Sequence, residues 1–229
     1  LKAGFDYEYT YIDTKDVQDD VILSKEDTGT LGISSISPSL FYDTRDNPFD
    51  PASGSLHGIV VKYASVAFLS ETEFIKTTLQ SSWYFQLMKP LIFAVSFKGG
   101  AAFGFGETEE IPLIERFFLG GRTTVRGYSH DSLGPKGAGD NPTGGNIFAL
   151  TNWELRYSIG KGFGVVTFID AGNVWRTLSE VKDELKYTTG AGLRYATPVG
   201  PIRIDYGHKM NKDRGDSSGE AHFSFGHAF

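Results

Sequence analysis

The chain has no cysteine among its 229 residues and only two methionines. Without cysteine there are no disulfide frameworks, thiolate zinc sites or cysteine nucleophiles. The count is also compatible with an oxidising compartment, where stray thiols would mispair. Long hydrophobic runs are missing too. The best, Pro90 to Phe97, is less than half of the ~18–20 residues a spanning helix needs. With 40% hydrophobic residues and a mean hydropathy of −0.22, a helical membrane bundle is excluded. Net charge is −6 and no Lys/Arg block occurs, so nucleic acid is not expected as a partner. Helical stripes are scarce as well, the weak candidate being Asp16 to Asp27.

Phe, Tyr and Gly are abundant instead, at 18, 11 and 28 residues, which suits strands and turns with many rings to place. Period-two alternation recurs along the chain. Phe5, Tyr7, Tyr9 and Tyr11 share one face, and Asp6, Glu8 and Thr10 the other. Ile75, Leu79, Trp83, Phe85 and Leu87 alternate with Lys76, Thr78, Gln80 and Gln86. Similar segments run over 34–43, 56–68, 91–105, 146–159, 165–175, 187–197, 202–208 and 221–229, about ten strands in all. Lys98, Glu154, Arg156, Arg194, Arg203 and Asp205 fall in mid-strand, opposite apolar faces. A wet lumen on one side and lipid on the other accounts for both faces.

Connections separate a transmembrane barrel from a soluble sandwich. Met88-Lys89-Pro90, Gly160-Lys161-Gly162 and Pro198-Val199-Gly200 are tight. Arg176 to Lys186, Lys209 to Glu220 and, above all, Gly106 to Gly145 are long. Short turns on one rim and long loops on the other are the outer-membrane pattern. Asp43 to Gly54, long for a turn, and Ser70 to Glu73, short for a loop, depart from it.

The longest connection holds Arg116-Phe117-Phe118-Leu119-Gly120-Gly121, then Val125-Arg126-Gly127-Tyr128, then Leu133-Gly134-Pro135 and Gly144-Gly145-Asn146. Downstream stand Asn152-Trp153-Glu154-Leu155, the run Phe168 to Trp175 containing Asp170, and Pro198 to Pro201. Upstream is Tyr42-Asp43-Thr44-Arg45-Asp46-Asn47-Pro48, with Pro51 and Gly54 after it. Across nearly its whole length the sequence resembles the BamA family of outer-membrane barrel-assembly proteins, whose superfamily includes TamA and the two-partner-secretion transporters.

The resemblance implies an all-β fold, a transmembrane antiparallel β-barrel with about ten strands present of roughly sixteen, and one long loop folded into the lumen. Residues 1–229 would be its C-terminal part, the first strands and the periplasmic POTRA domains lying elsewhere. The chain's opening at Leu1, without a basic n-region or apolar h-region, fits that expectation. Arg126, flanked by Val125, Gly127 and Tyr128, would reach Glu154 and Asp170 as a strut. Alternation independently turns both carboxylates away from the lipid, where they need a cation. Gly127 permits a tight reversal, and Tyr128 is expected to pack. Phe223, Phe225 and Phe229 are expected on an outward face, with His222, Ser224 and Gly226 inward. Together they would form a terminal assembly signal and a seam strand able to template another strand.

The implied function is folding and inserting β-barrel proteins into the outer membrane of a Gram-negative bacterium, as a multi-pass protein, without ATP or cofactor. Partners would be outer-membrane lipids, unfolded barrel clients and, through the periplasmic domains, assembly lipoproteins. TamA-like or two-partner-secretion translocation is the alternative, and a passive diffusion channel a more distant one. No enzyme fits. Gly-x-Ser-x-Gly, Walker and dinucleotide fingerprints are absent, and the five histidines are scattered, with His222 and His227 expected on opposite faces. Asp43 with Asp46, or Asp213 with Asp216, could attract calcium but match no EF-hand spacing.

Overall fold

The computed structural model describes residues 1–15, 17–182, 185–198, 200–212 and 215–229. Among these residues ten strands form one sheet in chain order, each antiparallel to the next. They are β1 (Lys2–Thr14), β2 (Gly29–Asp43), β3 (Gly54–Ala64), β4 (Phe74–Met88) and β5 (Leu91–Gly104), followed by β6 (Ile147–Gly160), β7 (Phe163–Trp175), β8 (Lys186–Tyr195), β9 (Ile202–Lys209) and β10 (Gly219–Phe225). Helical structure among the described residues is limited to 3₁₀ turns. The weak helical candidate begins at Asp16, outside the described residues, and yields only the turn Lys25–Asp27. No ladder among the described residues joins β1 to β10, so the sheet has two edges.

Strand registers carry the alternation faithfully from neighbour to neighbour. Lys76 faces Ala102, Ala94 faces Glu154, Asn152 faces Asp170, and Arg194 faces Arg203. All of these side chains therefore share the concave face. Its opposite carries a belt of rings, with Phe85, Trp153, Tyr157, Phe163 and Tyr195 exposed and Trp83 and Phe93 half-buried among them, several in edge or tilted contact. An outer surface of Leu, Ile, Phe and Tyr at this density suits lipid rather than water.

The concave face is filled by the loop between β5 and β6. Phe117, Leu119, Val125, Tyr128 and Leu133 from this loop form one core with Leu31 and Ile33 of β2, Phe74 of β4, Leu150 of β6 and Val174 of β7. One loop can touch so many strands only if the sheet curls around it. The base of the loop is tied to the β1–β2 connection by a second buried ion pair. Arg116 Nη2 lies 2.5 Å from Asp27 Oδ2, both side chains being inaccessible.

The chain's last residues depart from the sequence reading. β10 ends at Phe225, and Gly226, at φ +78°, turns the backbone off the strand. Phe229 is thus not on the outward face with Phe223 and Phe225. Its ring stacks on inward-facing Tyr84, 6.3 Å between centroids, beneath the Arg156 guanidinium, and its carbonyl accepts from Tyr84 Oη at 3.2 Å. His227 has likewise left the strand, so the face opposite His222 is not its place. Its Nε2 meets Asp50 Oδ1 of the β2–β3 turn at 2.7 Å. Exposed Phe223 and Phe225 do share the outward face.

Candidate functional site

The loop enters the lumen as a series of bends and presents Arg126 at its inner reach. Gly127, at φ +96°, occupies backbone space that L side chains resist. A Cβ there would lie 2.6 Å from the Gly207 carbonyl oxygen of β9. A Cβ on Gly207 would in turn lie 2.5 Å from the Arg126 carbonyl. The loop backbone and β9 are therefore in direct contact, and only a glycine pair permits it.

Arg126 is fully buried and donates from all three guanidinium nitrogens. Nε and Nη2 donate to Asp170 Oδ2 and Oδ1, each at 2.8 Å, and its own backbone N–H adds a bond to Oδ2 at 3.1 Å. Nη1 donates to Glu154 Oε1 at 2.5 Å and lies 3.6 Å from Asp205 Oδ2. The planar fork meets the carboxylate side-on, the geometry in which Arg exceeds Lys. Beneath it the Phe168 ring centroid is 3.5 Å from the guanidinium carbon, a cation–π contact away from water.

Around this centre the charges alternate. Glu154 also accepts from Arg156 Nε at 2.8 Å, and Asp205 accepts from Arg194 Nη1 at 2.5 Å. Arg203 Nη2 donates to the Arg122 carbonyl at 2.5 Å, and its Nε reaches Ser224 Oγ. Asn152 Nδ2 donates to both Asp170 Oδ1 and the Thr124 carbonyl, orienting the carboxylate while binding β6 to the loop. Burying each ion costs several kcal/mol in isolation, so such a cluster persists only when nearly every charge is paired.

The structure thus brings Arg126, Glu154 and Asp170 together. Val125 is buried in the core, Gly127 forms the bend, and Tyr128 packs under Lys209, whose Nζ is 4.5 Å from the ring centroid. Asp205, Asn152, Phe168, Gly207 and His222 are additional members. Asp205 had a legible signal, standing two residues after Arg203 on the same inward face. The rest depend on register between strands distant in sequence. Asp43 and Asp46 are otherwise engaged, Asp43 with Arg45 and Asp46 with the N–H groups of Asn47, Ala52 and Ser53. Asp213, with Val199 of the β8–β9 turn, lies outside the described residues.

A domain described as the Omp85 superfamily domain matches residues 1–229. The chain belongs to the Omp85 superfamily. Among similar proteins, the outer membrane protein assembly factor BamA of Nitratidesulfovibrio vulgaris is 29% identical over 99% of this chain and 30% of that protein. BamA of Neisseria meningitidis serogroup B is 28% identical over 80% of this chain and 27% of that protein. The mouse sorting and assembly machinery component 50 homolog is 31% identical over 84% of the chain and 44% of its own length. A crystal structure of BamA from Haemophilus ducreyi lacking POTRA domains 1-3 shares the fold, with a TM-score of 0.74 at 17% identity. It is matched over 98% of this chain and 49% of that one. The chain spans less than a third of the two bacterial relatives' length.

Proposed function

We propose that this chain is the later portion of the barrel of an outer-membrane assembly factor, which folds and inserts β-barrel proteins into the outer membrane of a Gram-negative bacterium. The observation that carries the reading is the loop locked in the lumen through Arg126, Glu154 and Asp170, within a chain that Omp85 matches from end to end. An internally filled barrel favours this reading over a passive diffusion channel, because apolar Phe117, Leu119 and Val125 occupy the space an open pore would need. Lipid contacts the ring-rich outer face, clients meet the sheet edge, and accessory lipoproteins bind periplasmic domains carried elsewhere in the protein. The role is structural rather than catalytic. The driving force is the client's own burial of backbone polar groups in lipid, without ATP.

In this scheme Arg126 is the strut that sets the curvature of the barrel wall. The test is insertion of a heat-modifiable client barrel into liposomes containing the full-length protein, without nucleotide. Faster client folding than in empty liposomes, lost in Arg126→Ala, is expected. Unaccelerated folding accompanied by passage of an unfolded polypeptide into the liposome would instead support the translocation role of TamA-like or two-partner-secretion proteins. Steady open conductance would support a channel.

A further inference from the structure

The edge strand β10 is held from inside as well as by its neighbour. Its inward residues alternate as Glu220, His222 and Ser224, and each is connected to the loop. Ser129 Oγ donates to Glu220 Oε2 at 2.6 Å, and the Gly127 N–H donates to His222 Nε2 at 2.9 Å. Ser224 Oγ meets Arg203, which also donates to the Arg122 carbonyl. Two successive inward positions of one strand thus bond residues 129 and 127 of the loop directly, and the third reaches residue 122 through Arg203 of β9. β10 pairs with β9 over only seven residues, and its other edge carries no ladder among the described residues. A strand paired over so short a ladder should fray readily unless something else restrains it.

We infer that the loop is a clamp on the edge strand, with His222 as the positioning residue that makes the clamp sensitive to protonation. The inference concerns the strand itself and stands whether or not the protein assembles barrels. An imidazole accepts at Nε2 only while that nitrogen is unprotonated, which leaves Nδ1 to carry the hydrogen, 4.0 Å from Glu220 Oε1. A second proton converts the acceptor into a donor facing the Gly127 N–H. The charged groups around the ring are Arg126 on the loop, Arg203 and Asp205 on β9, and Glu220 on β10 itself. Charging His222 would therefore release the middle of the three ties and free β10 to move against the loop.

The experiment is amide hydrogen exchange on the full-length protein in detergent micelles, comparing wild type, His222→Leu and His222→Gln. Leu removes the acceptor, whereas the Gln amide oxygen replaces it. In H222L the β10 amides are expected to exchange roughly tenfold faster, the consequence of losing one half-buried hydrogen bond. The β4 and β5 amides stay unchanged, and H222Q stays close to wild type. After correction for intrinsic rates, wild-type β10 exchange should also accelerate as pH falls through the imidazole range, and that of H222Q should not. Unaltered β10 exchange in H222L, or equal acceleration in H222L and H222Q, overturns the clamp. Should H222L fail to fold, the pH comparison decides, and a wild type without acid acceleration overturns it.

Discussion

Arg126 and Asp170 are joined by three hydrogen bonds, two through the guanidinium and one through the arginine's own backbone N–H. The side-chain bonds fix the charge, and the backbone bond fixes the loop. Asp170 is therefore both the counter-ion and the anchor of the segment that carries the cation.

Removing Arg126 leaves Asp170 buried without the cation it bonds, while Glu154 keeps Arg156 as its counter-ion. Breaking a buried pair in this way costs about 3–5 kcal/mol. Arg126→Ala should lower the temperature at which the barrel loses its folded mobility on gels. Arg126→Lys should recover only part of that loss, because an ammonium cannot meet Asp170 with two parallel bonds. An unchanged transition in the alanine variant would remove the strut.

Gly207→Ala tests the contact of loop and wall without touching a charge. Its Cβ would lie 2.5 Å from the Arg126 carbonyl and 2.6 Å from the Gly127 nitrogen, backbone atoms that cannot swing away. The loop should be displaced, and limited proteolysis should cut within 106–145 in the variant while sparing the parent. Equal resistance in the two proteins would show that β9 tolerates a side chain there.

The Asp27–Arg116 pair ties the base of the same loop to the β1–β2 connection. Asp27 also accepts the N–H groups of Leu113 at 2.8 Å and Leu23 at 2.8 Å, so one carboxylate joins the two segments. Asp27→Ala should cost about 3–5 kcal/mol as a broken buried pair. It should also accelerate hydrogen exchange in 21–31 and 111–119 ahead of the rest. Uniform acceleration across the chain would argue against a local tie.

Acid should destabilise the packing around Asp50 and His227. Burial holds the His227 imidazole below its ordinary value of 6.5, assisted by the charge of Arg156 and opposed by the bond to Asp50. The hydrogen bond from His227 holds the Asp50 carboxyl below 3.8, against the effect of its own burial. For His227 the unfolded chain takes up its proton first, so stability declines as pH falls below 6.5 toward the folded value. For Asp50 the contribution is present above 3.8 and is lost as pH falls through its lowered value. Both signs agree. Thermal melts should drop with acidification in wild type and drop less in Asp50→Asn with His227→Gln. Parallel profiles would assign the acid sensitivity elsewhere.

Much of the site could be read in the one-dimensional pattern because barrel strands alternate strictly. Glu154 beside Trp153 and Asp170 beside Ile169 cannot face lipid, so their inward direction follows from neighbours alone. The partner of both, Arg126, came from the resemblance of Val125-Arg126-Gly127-Tyr128 and not from periodicity. Phe229 went astray for a definable reason. Alternation counted past Phe225 puts it outward, but Gly226 breaks the period, and the ring finds Tyr84 and Arg156 inside. A pattern holds only while the backbone remains extended.

What the sequence determined by itself is therefore whatever period two and loop length encode: ten strands, their inward charges, and one connection too long and glycine-rich to be passive. Tertiary structure alone decided which charges meet. Arg126 joins residues 28 and 44 positions away, His222 reaches back 95, and Gly207 accommodates a loop it shares no local sequence with. The physical reason is register. A single ladder shift turns every side chain of a strand to the other face, and the curl that brings β9 beneath the loop arises only when all the strands have paired.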